Sequence, residues 1–199
     1  GIFDMKSGAY LAFYAFQHLV RSGQETPLPL TFLYVPEEEI GSPTSRQVIE
    51  DTAKKNKYVL VTEPAHDGLC CTARKGVLHV GIKIYGRPAH AGSRHQDGRS
   101  ALRELAYQIV SLENLTGYER GITVNVGLAS GGSFINVVPA EAEAKVCIRA
   151  PETEQLEVLK EHILALQPDD EDVKLEITAE INRPVFPRLE GTTKLFEHA

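Results

Sequence analysis

Apolar positions follow one rhythm before Gly76 and another after it. Ahead of that glycine, Leu30-Thr31-Phe32-Leu33-Tyr34-Val35 and Tyr58-Val59-Leu60-Val61-Thr62 are short, nearly unbroken apolar runs, the pattern of strands covered on both faces. Helical spacing precedes each run. Leu11, Ala12, Ala15, Phe16 and Leu19 share one face over 9–21, with Gly23 as the stop; Val48, Ile49, Thr52 and Ala53 share another over 44–55, after a Ser42-Pro43 start signal. Helix, strand, helix, strand predicts a parallel α/β sheet with buried helices.

After Arg74-Lys75-Gly76, an exposed hinge in this reading, strict alternation takes over. Leu78, Val80, Ile82 and Ile84 alternate with polar neighbours, as do Ile122, Val124, Val126 and Leu128, then Ala140, Ala142, Ala144, Val146 and Ile148, and finally Val173, Leu175 and Ile177. Each predicts a strand with one buried face. Helical patterns intervene over 98–113, with Ala101, Leu102, Leu105, Ile109 and Leu112 inward, and through Leu156, Leu159, Ile163 and Leu166. The order β-α-β-β-α-β is the ferredoxin-like split. Pro184 and Pro187 mark a linker. The expected architecture is therefore α/β: residues 1–75 form part of a three-layer catalytic domain, 76–182 an inserted ferredoxin-like α+β lid or dimerisation domain, and 183–199 the return to the first domain. The chain opens on Gly1 without an initiator Met and stops within an amphipathic pattern at Leu195-Phe196-Glu197-His198-Ala199, so it reads as an excerpt from a longer protein.

Composition narrows the partners. Lys and Arg number 21 against 27 Asp and Glu, a net charge of −6, and no basic block is present to neutralise phosphates. Nucleic acid is not an expected partner. Nor is a membrane, because no apolar run approaches the roughly 20 residues a spanning helix needs. The three cysteines lack CxxC spacing and indicate neither a disulfide framework nor a thiolate zinc site. A cytoplasmic location is the resulting expectation.

The chemistry gathers in acids. Glu37-Glu38-Glu39 follows the first apolar run, Glu63 follows the second, and Asp4 stands just ahead of the first helix. Ligands bind at the carboxyl ends of strands in open α/β sheets. Converging carboxylates repel one another unless a cation sits among them, so the pattern fits either a divalent-metal site or a solvated acidic rim.

Five motifs carry a resemblance: Gly1-Ile2-Phe3-Asp4-Met5-Lys6, Glu37-Glu38-Glu39-Ile40-Gly41-Ser42, Glu63-Pro64, Gly86-Arg87-Pro88-Ala89-His90-Ala91-Gly92, and Asn136-Val137-Val138-Pro139 followed by Arg149. In order and spacing they resemble the M20 family of zinc exopeptidases, which includes glutamate carboxypeptidases, aminoacylases, acetylornithine deacetylase and succinyl-diaminopimelate desuccinylase. The glutamate carboxypeptidase-like branch is the most similar. The resemblance implies two Zn²⁺ ions, with Co²⁺ or Mn²⁺ as substitutes, bridged by Asp4 and further ligated by Glu39 and Glu63. It makes Glu38 the general base that activates water. It makes Asn136 and Arg149 substrate contacts, and it makes His90 an oxyanion-stabilising group that reaches the neighbouring subunit of a homodimer formed through the lid. Each metal in the family also takes a histidine from segments this chain does not contain; His18, His66, His79, His95, His162 and His198 match no ligand motif. The implied reaction is hydrolysis of an amide bond next to a free carboxylate, in a small peptide or an N-acyl amino acid. The alternative is a catalytically inactive relative that binds amino acids or only dimerises.

Overall fold

In chain order the described residues form helices α1 (Ser7–Arg21) and α2 (Arg46–Lys54), strand β1 (Gly76–Tyr85), helix α3 (Ala101–Glu113), strands β2 (Thr123–Gly131) and β3 (Glu141–Ala150), helix α4 (Thr153–Leu164), strand β4 (Lys174–Arg183) and helix α5 (Glu190–His198). This computed structural model describes residues 1–65 and 67–198, so His66 and the terminal Ala199 lie outside the described residues. The chain divides into two units, Gly1–Cys71 and Thr72–Ala199. No helix among the described residues is long and apolar enough to cross a membrane.

The second unit carries the expected mixed α/β fold. Its four strands make one antiparallel sheet in the order β2-β3-β1-β4, the ferredoxin-like arrangement. β1 lies between β3 and β4, with Gly76 opposite Ala150 and Tyr85 opposite Glu141. One face is apolar because the alternation is strict: Leu78, Val80, Ile82, Ile84, Ala142, Ala144, Val146 and Ile148 are all buried. Leu105 and Leu112 of α3 and Leu156 and Ile163 of α4 close over that face. α3 starts at Ala101 and not at 98, because Ser100 takes the cap position and its hydroxyl accepts the Arg103 N–H at 3.2 Å.

Two core assignments fail locally. The β2–β3 register shifts between Val126 and Leu128, and the bulge turns Leu128 out to solvent. Leu102, expected inward, sits on the rim of α3 and is exposed. The core itself is dense enough for a definite expectation. Leu78 has no exposed surface and stands on the central strand, so Leu78→Ala should destabilise this unit by about 2–5 kcal/mol. Urea unfolding followed by far-UV circular dichroism reads it, and an unchanged midpoint would contradict the packing described.

The first unit departs from expectation. Neither apolar run, 30–35 or 58–62, is a strand, and the predicted parallel sheet is not found among the described residues. Leu30, Phe32, Tyr34, Val59, Leu60 and Val61 are exposed. An apolar run records side chains that need cover, but a strand also needs a hydrogen-bonded neighbour. α1 and α2 form close to the predicted spans, and Gly23, with φ +65°, ends α1 as expected. Neither helix is buried: Leu11 and Val48 face solvent, while Ala12, Leu19, Ile49, Thr52 and Ala53 are half-buried.

Candidate active site

In the first unit the acids come together through a close backbone approach. Gly8 stands in the first turn of α1, where a Cβ would collide with the Thr62 carbonyl oxygen. Only glycine lets α1 lean on this segment, and the contact sets Asp4, just before the helix, beside Glu63, just after Thr62. Glu63 is half-buried, and its carboxyl is pushed above the ordinary glutamate range. Lost hydration is the main cause, followed by the charges of Glu38 and Asp4, a hydrogen bond with Asp4, and the charge of Glu39. Asp4, Glu38 and Glu39, all singled out from the sequence, thus act on Glu63.

Glu37 has a different task. Its carboxylate accepts the Thr44 backbone N–H at 2.9 Å and the Thr44 hydroxyl at 2.8 Å, contacts that hold its carboxyl below the ordinary range. It anchors the turn leading into α2, a job expected of Ser42; Gly41, at φ +86°, makes the intervening turn possible. Of three consecutive carboxylates one is committed to structure, and Glu38 and Glu39 remain exposed on a single helical turn. Gly8 and Glu37 were not legible as site-shaping residues. The available signals were a glycine inside a helical pattern and an acid seven residues ahead of a threonine at a helix start.

In the second unit the structure brings His90 and Asn136 together. Residues 89–91 pair with 136–138: the Ala91 N–H donates to the Asn136 carbonyl at 3.0 Å and the Val138 N–H to the Ala89 carbonyl at 2.9 Å. Gly86 is required at the loop's entry, since a Cβ there would collide with the Arg99 carbonyl. The Nδ1 atom of His90 accepts the N–H groups of Gly92 at 3.1 Å and Ser93 at 3.3 Å. A neutral imidazole that accepts at Nδ1 carries its proton on Nε2. The exposed His90 ring therefore offers a hydrogen-bond donor to a ligand.

Arg149 stands apart from that pair. It lies opposite Val77 on β1, whereas the His90 and Asn136 loops adjoin the Tyr85–Glu141 end. Eight residues of strand, about 26 Å at roughly 3.3 Å per residue, separate the two ends. Among the described residues Arg149 forms no ion pair, with Glu141 and Glu143 of its own strand or with any other acid. Its exposed guanidinium is left to meet solvent or a ligand.

The donor chemistry of Asp4, Glu38, Glu39 and Glu63 suits a divalent cation, which would relieve the repulsion that adds to burial in raising Glu63. Among the described residues no group of three or more His, Cys, Asp or Glu side chains stands at metal-holding distance. The carboxylates are gathered without being drawn into a coordination shell.

Comparison with known proteins gives these positions a frame. Residues 72–169 match the peptidase dimerisation domain model of the M20 family. Over 205 residues the chain is 29% identical to carboxypeptidase G2 of Pseudomonas sp. (strain RS-16), covering all of this chain and 49% of that protein. A p-aminobenzoyl-glutamate hydrolase homolog of Haemophilus influenzae is 31% identical over 88 residues, 44% of this chain and 21% of that one. A tripeptidase from Staphylococcus aureus superposes with a TM-score of 0.54 at 24% identity, over 64% of this chain and 35% of its own, a likeness of fold. The chain thus spans about half the length of the carboxypeptidase it matches end to end, and a smaller share of the others. With the dimerisation-domain match lying on the ferredoxin-like unit and the carboxypeptidase match running through both units, the second unit carries an M20 peptidase dimerisation domain and the chain as a whole is similar to peptidases of that family.

Proposed function

We propose that the protein acts as a hydrolase of an amide bond next to a free carboxylate, with Asp4, Glu39 and Glu63 holding two divalent ions, zinc foremost. The gathering of Asp4, Glu38 and Glu39 around Glu63, whose carboxyl is raised by lost hydration and then by their charges, carries this reading. Bound there, the ions would supply Lewis acidity toward water and the scissile carbonyl. Glu38, the exposed acid left over, takes the proton of the attacking water and returns it to the leaving amine. Arg149 grips the substrate carboxylate in a planar, two-pronged contact, and Asn136 orients the substrate. The names of two relatives, a carboxypeptidase and a p-aminobenzoyl-glutamate hydrolase, fit a substrate that ends in a carboxylate. The boundaries at residues 75 and 182 belong to the same proposal, with 76–182 as the lid.

His90 is assigned to the partner's site in a homodimer. β2 is a sheet edge, and exposed Leu128 lies on it, with exposed Leu102 and Val110 on α3, which packs against the same strand. Two copies of β2 paired antiparallel across a two-fold axis place Gly131 of one beside Thr123 of the other. In the register with β3, Thr123 lies at the Arg149 end and Gly131 at the Glu141 end. Such a pairing carries the His90 and Asn136 end of each chain to the Arg149 end of its partner, which resolves a separation that one chain cannot close. The Nε2–H group of His90 then donates to the developing oxyanion.

The test uses the full-length enzyme and a panel of N-acyl amino acids and dipeptides that includes p-aminobenzoyl-glutamate. Mixing His90→Ala subunits with Glu38→Gln subunits should restore one working site per heterodimer. No recovery in verified heterodimers removes His90 from the partner's site, and hydrolysis of no member of the panel favours the inactive relative.

A further inference from the structure

The loop that presents His90 is tied on one side to 136–138 and on the other to an ionic cluster of which the site motifs include only Arg87, without a role. Arg87 and Arg99 pair with each other at the two ends of the loop, their backbone N–H and C=O groups meeting at 2.9 and 2.8 Å. Both side chains then reach into the loop. Arg87 Nε donates to the Asp97 carbonyl at 2.6 Å, and Arg99 Nη1 donates to the carbonyls of Gln96 at 3.2 Å and Gly98 at 2.9 Å. The outer prongs of the same guanidinium groups meet carboxylates of the α4–β4 connection. Arg99 stands 2.8 Å from Asp172 and 3.4 Å from Asp170, and Arg87 stands 3.4 Å from Asp172.

The carboxylates are themselves fixed from below. Glu104 on α3 is only 2% exposed, and its carboxylate accepts the backbone N–H of Asp169 at 3.1 Å and of Asp170 at 3.4 Å, along with the Gln108 amide at 2.8 Å. A buried charge is tolerated only when hydrogen bonds satisfy it, and these do. Isolated surface ion pairs contribute little because two long side chains must be ordered for a screened attraction. Here the entropy is shared: each arginine is already held by loop carbonyls, and one aspartate serves both.

We propose that Glu104, Asp170 and Asp172, acting through Arg87 and Arg99, form a clamp that fixes the loop carrying His90. They are positioning residues. The link to turnover rests on the role given to His90 above; the clamp itself does not. A loop closed only by its contact with 136–138 would pivot about that pairing, and a histidine misplaced by about 1 Å loses most of its effect on a reacting carbonyl.

The test is amide hydrogen exchange on the chain with Asp170→Asn and Asp172→Asn combined, two changes at half-exposed side chains that leave the core intact. The loop amides of Arg94, Asp97 and Gly98, each bonded to a loop carbonyl, should exchange at least about tenfold faster, while those of β1 and β3 keep their parent rates. Moderate salt should loosen the parent in the same direction. Asp172→Glu, which keeps the charge, should restore much of the protection. Unchanged exchange in the double variant overturns the clamp. In the full-length enzyme the double variant should lose about tenfold in kcat with little change in KM. An unclamped loop with unchanged kcat would instead remove His90 from catalysis, so the two readings fail separately.

Discussion

Glu38→Gln in the full-length enzyme should lower kcat by at least about 10²–10⁴-fold, the usual contribution of general acid–base catalysis, while metal content stays at the parent level. The amide has the size of the carboxylate but can neither take the proton of water nor return it to the leaving nitrogen. Glu37 and Glu38 are chemically identical neighbours, and the structure separates their surroundings. Glu37 is engaged by Thr44, so Glu37→Gln should act on the entry to α2 and on stability, with a far smaller effect on turnover. Metal analysis and steady-state kinetics on both variants decide between them. Near-normal turnover of Glu38→Gln with the metals bound would take the base role from Glu38.

How much of this was legible depended on what each signal encodes. Alternation in the second unit was decisive because a two-residue period fixes both the element and its buried face, and the strands find their partners within the chain. The apolar runs of the first unit encode only a demand for cover, and 30–35 and 58–62 remain exposed and unpaired. Leu128 failed for a local reason, since a bulge shifts the register while the apolar pattern in the sequence runs on unbroken. Asp4, Glu38, Glu39 and Glu63 could be gathered on paper from their places at element ends. The glycine that lets Asp4 approach Glu63 could not, because a close approach between segments more than fifty residues apart leaves no periodic trace. The clamp around His90 was hidden for a similar reason: Arg87 stands in the His90 motif with no role attached, and nothing in the sequence marks Arg99, Asp170 and Asp172 as its partners until the fold sets them together.

Limited trypsin digestion of residues 1–199 should leave a resistant fragment from the second unit and clear the first. Every buried apolar side chain among the described residues falls between Val77 and Val173, and among the described residues from Gly1 to Cys71 the one buried is Ser42. Cleavage requires local opening, whose free energy follows the buried contacts that opening must break. Arg21, Arg46, Lys54, Lys55 and Lys57 should therefore be cut early, at rates at least about tenfold above those of sites on β1 and β3 such as Lys83 and Lys145. Arg74 should resist longer than its exposure suggests, because its backbone exchanges two hydrogen bonds with Phe186, at 2.8 and 3.0 Å, closing the ends of the unit on each other. The expected core begins at Tyr58, after the last lysine of the first unit, and ends beyond Phe186, at Arg188 or Lys194. Mass mapping of the surviving fragment reads both ends. Survival of 1–57 for as long as 76–183 would mean that the first unit has a core the exposure of its apolar residues does not reveal.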